Sequence, residues 1–169
     1  MQIRRLVPAD AAEYRSLRIR ALWEYPEAFT CSYEEDERKP VESTHTRLAS
    51  QDTLFWGAFD SSGQLCGMVG MDRETRAKNR HKAHVVGMYV TPEQSGAGVG
   101  RALIEALLEE ARRAGIELLV LTVTGSNEAA RSLYESTGFR SFGVEPKAIR
   151  IDGRYHAKNH MYQELNTAP

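Results

Sequence analysis

An apolar strand, residues 84–90, runs through Thr91-Pro92-Glu93-Gln94 into the loop Ser95-Gly96-Ala97-Gly98-Val99-Gly100-Arg101, and the loop opens directly into a helix. Apolar residues at Val99, Ala102, Leu103, Ala106, Leu107 and Ala114 recur at helical spacing, so a helix is predicted over 98–114, with Gly115 as its stop. Residues 118–123 then form a nearly all-apolar run, which reads as a strand covered on both faces. Strand, helix and strand in this order demand a parallel pair joined by a crossover, so the rest of the chain must build a mixed sheet around that pair. The fold class is therefore α/β (α+β), a central mixed β-sheet flanked by helices.

The flanking segments fit this frame. Residues 2–6 read as a short edge strand. Pro8-Ala9-Asp10 opens a helix, with Asp10 as cap and Glu13 closing a capping box, and Pro26 ends it. The charged stretch 34–39 reads as exposed, and Pro40 starts a second helix to about Ser50. Residues 53–59 and 65–71 form an antiparallel hairpin around Ser61-Ser62-Gly63. A charged connection covers 72–82. A short helix is predicted over 127–136, ended by Gly138, and the tail reads as two long strands joined at Asp152-Gly153. The chain of 169 residues contains no repeat or low-complexity linker, so residues 1–169 are expected to form one domain.

Glycines at alternating loop positions let main-chain N–H groups face one point, and the helix start adds unpaired amides and partial positive charge. Such a strand–loop–helix is a phosphate or pyrophosphate site. Its spacing excludes two common ligands. A P-loop would end Gly-Lys-Ser/Thr, but Arg101-Ala102 follows Gly100; a dinucleotide fingerprint counted from Gly96 would need glycine at Arg101. The formal net charge of −1 provides no general field for nucleic acid or an anionic membrane. No stretch approaches the roughly 18 apolar residues of a membrane helix, and no apolar run of leader length follows the N-terminus. Cys31 and Cys66 follow no metal or disulfide spacing. The expectation is a cytoplasmic protein without nucleic-acid or membrane partners.

Gly87-Met88-Tyr89-Val90-Thr91-Pro92 followed by Gly96-Ala97-Gly98-Val99-Gly100-Arg101-Ala102-Leu103-Ile104 resembles the acetyl-CoA signature of the GNAT N-acetyltransferase superfamily. Asn127-Glu128-Ala129-Ala130-Arg131-Ser132-Leu133-Tyr134-Glu135 with Gly138-Phe139 resembles its second signature, and the two cover about a third of the chain. The resemblance implies a partly splayed sheet, an acetyl-CoA co-substrate, an amine acceptor and direct acetyl transfer. It implies that the amides of Ser95, Gly96, Ala97, Gly98, Val99, Gly100 and Arg101 hold the coenzyme A pyrophosphate. It implies that the main chain of Met88, Tyr89 and Val90 pairs with the pantetheine arm, that Asn127 contacts pantetheine, and that Tyr134 faces the thioester sulfur. Two positions depart from the pattern: Ser95 stands where Arg or Gln is usual, and Ser136 where Lys is common. Ser95 brings a hydrogen bond without charge, and Arg101 is the alternative source of charge. Members of the superfamily are often dimers, so a homodimer through exposed C-terminal strands is a further expectation.

Asn127, Arg131 and Tyr134 fall at helical spacing on one face. Asn127 suits a helix cap and Arg131 a surface charge. When an amine displaces coenzyme A, a thiolate of pKa near 8.5 must leave, and a phenol of pKa about 10 can donate to it. Glu34, Glu35, Asp72 and Glu74 are candidate bases, with a water chain as the alternative. His81 and His84 face opposite sides of a strand, and His156 and His160 stand about 13 Å apart if extended, so neither pair suits a metal. Two other readings stay open: a non-catalytic acyl-CoA-binding sensor, which keeps the loop without needing Tyr134, and a domain binding the phosphate of another nucleotide.

Overall fold

A computed structural model describes residues 1–165. The Leu-Phe-Trp run becomes β2 (Thr53–Phe59), which pairs antiparallel with β3 (Leu65–Arg73). The Asp60 carboxylate closes the turn between them by accepting from the amides of Ser62 and Gln64 at 2.8 and 3.0 Å. β1 (Gln2–Arg5) adds to β2 as the outer strand, and β4 (Lys82–Val90) lies antiparallel on the other side of β3. β5 (Leu118–Thr124) runs parallel to β4, the crossover predicted from sequence. The tail hairpin, β6 (Arg140–Ile151) and β7 (Arg154–Glu164), joins through β7, giving a seven-stranded sheet ordered β1-β2-β3-β4-β5-β7-β6. Its turn residues Asp152 and Gly153 both have positive φ, 47° and 78°, matching the two-residue turn that sheet twist favours.

Helices cover both faces. α1 (Ala11–Glu24) and α3 (Val41–Ala49) pack on one side, where Tyr14, Leu17, Ala21 and Leu48 meet Phe55, Met68 and Tyr89. α2 (Tyr33–Glu37) lies against α1. α4 (Val99–Arg113) covers the other side with Val99, Leu103, Ile104, Leu107, Leu108 and Ala111, all buried on one stripe. α5 (Glu128–Ser136) joins that core through Tyr134. Among the described residues no helix is long and apolar enough to cross a membrane.

Three expectations change. Asp10 does not cap α1: its carboxylate accepts from Arg4 at 2.7 and 2.8 Å and from the Val7 amide at 2.8 Å, a charged donor outcompeting the helix amides. The charged stretch 34–39 is not uniformly exposed. It contains α2, started by a capping box between Ser32 and Glu35, and it buries Asp36 against Arg18 and Lys39. β5 is sealed on one face only: Leu119, Leu121 and Val123 are buried, whereas Thr122 is exposed. On the second face Thr124 is buried, its hydroxyl donating to the Glu27 carbonyl. The edge of β5 is open as well, because β4 pulls away from it after a short contact.

Candidate active site

The pull-away is a matter of register. β4 and β5 pair only at Lys82–Leu118, Ala83–Leu119 and His84–Val120. Beyond His84 the β5-facing side of β4 has no ladder partner. A bulge exaggerates the divergence. Met68 pairs with Tyr89 and Gly70 with Val86, so Gly87 and Met88 together oppose Val69. Gly87 has φ +61°, a conformation that side chains disfavour at such a kink.

At the far end of β4 the turn Pro92–Gln94 leads into the glycine loop, where Gly96 and Gly98 have φ of 78° and 80°. Gly98 is the left-handed residue that starts α4, and it turns the following amides toward the loop's concave side. Among the described residues the N–H groups of Gly96, Gly98, Val99, Gly100 and Arg101 have no acceptor. Those of Ser95 and Ala97 differ, donating to Pro92 and Gln94 carbonyls at 3.1 and 3.4 Å. Ser95 thus offers only its exposed hydroxyl. Gly100 has a separate reason to be small: a Cβ there would stand 3.0 Å from Leu133 and 3.2 Å from Met88, so α5 and β4 both crowd the helix start. Arg101 donates to the Ser136 hydroxyl at 2.9 Å, so the alternative source of charge is tied to one of the two positions that depart from the family pattern.

Met88 and Val90 face the α4 core, while Tyr89 points through the sheet to the α1 side. The Tyr89 hydroxyl donates to Glu24 at 2.5 Å; Glu24 also accepts from Arg20, which reaches Glu93 at 2.7 Å beside the loop. Burial, reinforced by that hydrogen bond, holds the Tyr89 phenol well above its ordinary pKa. This bracing chain was not legible in sequence, since it joins segments some 70 positions apart in the chain order.

Between the diverging strands lies a cleft of about 300 Å³. Val86, Gly87 and Met88 form one wall, Thr122, Val123 and Thr124 the other, and Asn127 and Tyr134 of the α5 segment lie along it. Asn127 caps α5 by accepting from the Ala130 amide at 3.1 Å. Tyr134 is 6% exposed, lies edge-on to Phe139, and its hydroxyl makes no hydrogen bond among the described residues. Burial alone raises its pKa, so the phenol stays protonated. Arg131 points away, pairing with Glu135 at 3.0 Å on the surface.

None of the four candidate bases lines the cleft. Glu35 accepts from the Ser32 amide as a helix cap, Asp72 from the Thr53 hydroxyl at 2.5 Å, and Glu74 pairs with His84 at 3.0 Å. Glu34 stays exposed. Sequence reasoning instead missed three cations that do line it: Arg18, Arg47 and Lys158. Lys158 is 7% exposed, donates to Thr30 at 2.8 Å, and has its pKa lowered by burial. Among the described residues no three His, Cys, Asp or Glu side chains converge as metal ligands.

Residues 19–139 match the acetyltransferase (GNAT) family. N-alpha-acetyltransferase RimI of Mycobacterium tuberculosis is 34% identical over 119 residues, covering 70% of this chain and 72% of that one. The acetyltransferase of GNAT family from Streptococcus pneumoniae superposes with a TM-score of 0.81 at 25% identity, over 97% of this chain and 99% of the other. The yncA protein of Salmonella typhimurium, solved with its cofactor acetyl-CoA, shares the fold at a TM-score of 0.86 and 22% identity, over 100% and 96% of the two chains. With a splayed strand, a loop of unpaired amides and a family match spanning both, the chain belongs to the GNAT family of acetyltransferases, enzymes that take their acetyl group from acetyl-CoA.

Proposed function

We propose that this chain acetylates a primary amine by direct attack on acetyl-CoA in the cleft between β4 and β5. The observation that carries the reading is continuity: the unpaired amides of Gly96, Gly98, Val99, Gly100 and Arg101, the unpartnered side of β4, and the unpaired Tyr134 hydroxyl follow one another. The coenzyme A pyrophosphate would take the free N–H groups of Gly96, Gly98, Val99, Gly100 and Arg101, with the hydroxyl of Ser95 beside them. The pantetheine amides would pair with the main chain of Met88–Val90, replacing the ladder partner that β5 does not supply. Asn127 would face the pantetheine arm.

The acetyl carbonyl then lies at the Gly87 bulge, where main-chain donors can stabilise the developing oxyanion. The amine nitrogen attacks the carbonyl carbon, the C–S bond breaks, and the electron pair leaves on sulfur. Tyr134 donates a hydrogen bond to that sulfur. Its raised pKa makes it a weaker acid than the departing thiol, so it stabilises the thiolate and keeps its own proton at the end of the cycle. The proton lost by the amine balances the one the thiolate finally takes. With no carboxylate lining the cleft, water carries that transfer.

The test uses thiol release with an amine panel, alongside calorimetry. Tyr134→Phe is expected to lower kcat by about a hundredfold while the Kd for coenzyme A stays within about twofold. An unchanged kcat removes Tyr134 from the mechanism, and no binding of acetyl-CoA at millimolar concentration removes the reading altogether.

A further inference from the structure

The cleft has a charge that an acetyltransferase site does not need for its donor. Arg18, Arg47 and Lys158 all line it, and no carboxylate does. An amine acceptor arrives mostly as an ammonium, neutral only about once in 2,500 at pH 7 for a lysine-like group. Arg18 is paired with Asp36, but Arg47 and Lys158 have no ion-pair partner among the described residues, and their charge repels such a molecule unless it brings negative charge of its own.

Two of the cations are arranged to receive that charge. Asp36 holds Arg18 through its Nε, and Lys39 shares the same carboxylate. Arg18 Nη1 is thereby aimed at the β4 bulge, 3.9 Å from where a Cβ on Gly87 would stand. Arg47, half-buried on α3, stacks its guanidinium over the Phe55 ring at 4.8 Å. Among the described residues it has no carboxylate or carbonyl partner, so its planar fork is available. Both arginines also line a side pocket of about 190 Å³ behind the cleft. The Tyr14 hydroxyl lies on that pocket too, buried and without a hydrogen-bond partner. The Asp36 carboxylate lines that pocket as well, but Arg15, Arg18, Lys39 and Arg47 leave its lining net positive, and Arg18 and Arg47 are common to both cavities.

We propose that the acceptor is a small amine carrying its own carboxylate, an amino-acid-like molecule, gripped by Arg47 and Arg18 while its nitrogen points at the thioester. The inference rests on the acetyl-transfer reading above and narrows its acceptor. It also accounts for the missing base. With the carboxylate docked, the nitrogen stands among cations, which disfavours the ammonium form and eases loss of its proton. A peptide N-terminus with no acidic side chain beside it lacks that negative charge and gains nothing from this arrangement.

Thiol release is measured with free amino acids, their α-amides, short peptides and polyamines as acceptors, while calorimetry follows acetyl-CoA. Amides keep the skeleton and delete the charge. At least one free acid is expected to exceed its amide by about tenfold or more in kcat/KM. Arg47→Gln should raise KM for that acid by about ten- to a hundredfold, leave the amide and the acetyl-CoA Kd unmoved, and be partly rescued by Arg47→Lys. Amides, peptides or polyamines used as well as the acids overturn the proposal, and so does an acid KM indifferent to Arg47→Gln. Turnover of no acid while acetyl-CoA still binds overturns it and leaves donor binding standing; absent donor binding removes both. If Arg47→Gln unfolds the chain, the acid–amide comparison on the unaltered protein decides alone.

Discussion

Asp36 shows how one buried carboxylate sets the character of its surroundings. Burial alone would raise its pKa, but the hydrogen bond from Lys39 and the charge of Arg18 more than reverse this, holding it at about 2 against an ordinary 3.8. A carboxyl lowered in the folded state gives stability that is fully present above its unfolded pKa and is lost as pH falls through the folded one. The window is therefore from about pH 4 down to about pH 2, and the depression corresponds to about 2 kcal/mol. Asp10, lowered chiefly by its hydrogen bond from Arg4, adds to the same slope, so the difference between proteins is the quantity to read. Asp36→Asn is expected to be less stable at pH 7 in urea unfolding and to lose less on acidification. Parallel pH profiles for the two proteins would deny Asp36 this role. The substitution also frees Arg18 from its anchor, so it tests the aim of that guanidinium.

At the scale of elements, the start of α4 separates conformation from contact. Gly98 has φ +80° with no atom within 4 Å of where a Cβ would lie, so Gly98→Ala adds strain without a clash. The cost is about 1–2 kcal/mol, and relief of the strain tilts the amides that follow. A rise in coenzyme A Kd on the order of tenfold is expected, with the helix still formed by circular dichroism. Leu107→Ala acts on the opposite end of the same logic. Its side chain is fully buried under α4, so the loss is about 2–5 kcal/mol in unfolding free energy, with the loop unaffected. Both elements were legible in sequence because glycine spacing and a buried stripe are local properties. α2 was not: it has five residues, nearly all charged, and no apolar stripe. Its only local signal was Ser32 followed by Glu35, the same rule that misled at Asp10, where Arg4 took the carboxylate. The Gly87 bulge and the cations of the cleft had no local signal at all. Arg18, Arg47 and Lys158 come from α1, α3 and β7, and only the folded sheet brings them to one cleft.

For the whole molecule, the sheet is two sub-sheets, β1–β4 and β5–β7–β6, sharing a seam of three residue pairs. Acetyl-CoA bound along that seam is expected to add about 2.7 kcal/mol to stability at a hundred times its Kd, read as a rise in Tm. Amide hydrogen exchange should slow at residues 85–90 and 96–101, and unchanged exchange at both segments would place the ligand elsewhere. The seam is narrow in ladder pairs only, since a single core under α4 runs beneath both halves and keeps the sheet one body. A co-substrate lying along the seam is expected to knit its two free edges, so release of coenzyme A should return the cleft to its least protected state, ready for the next donor.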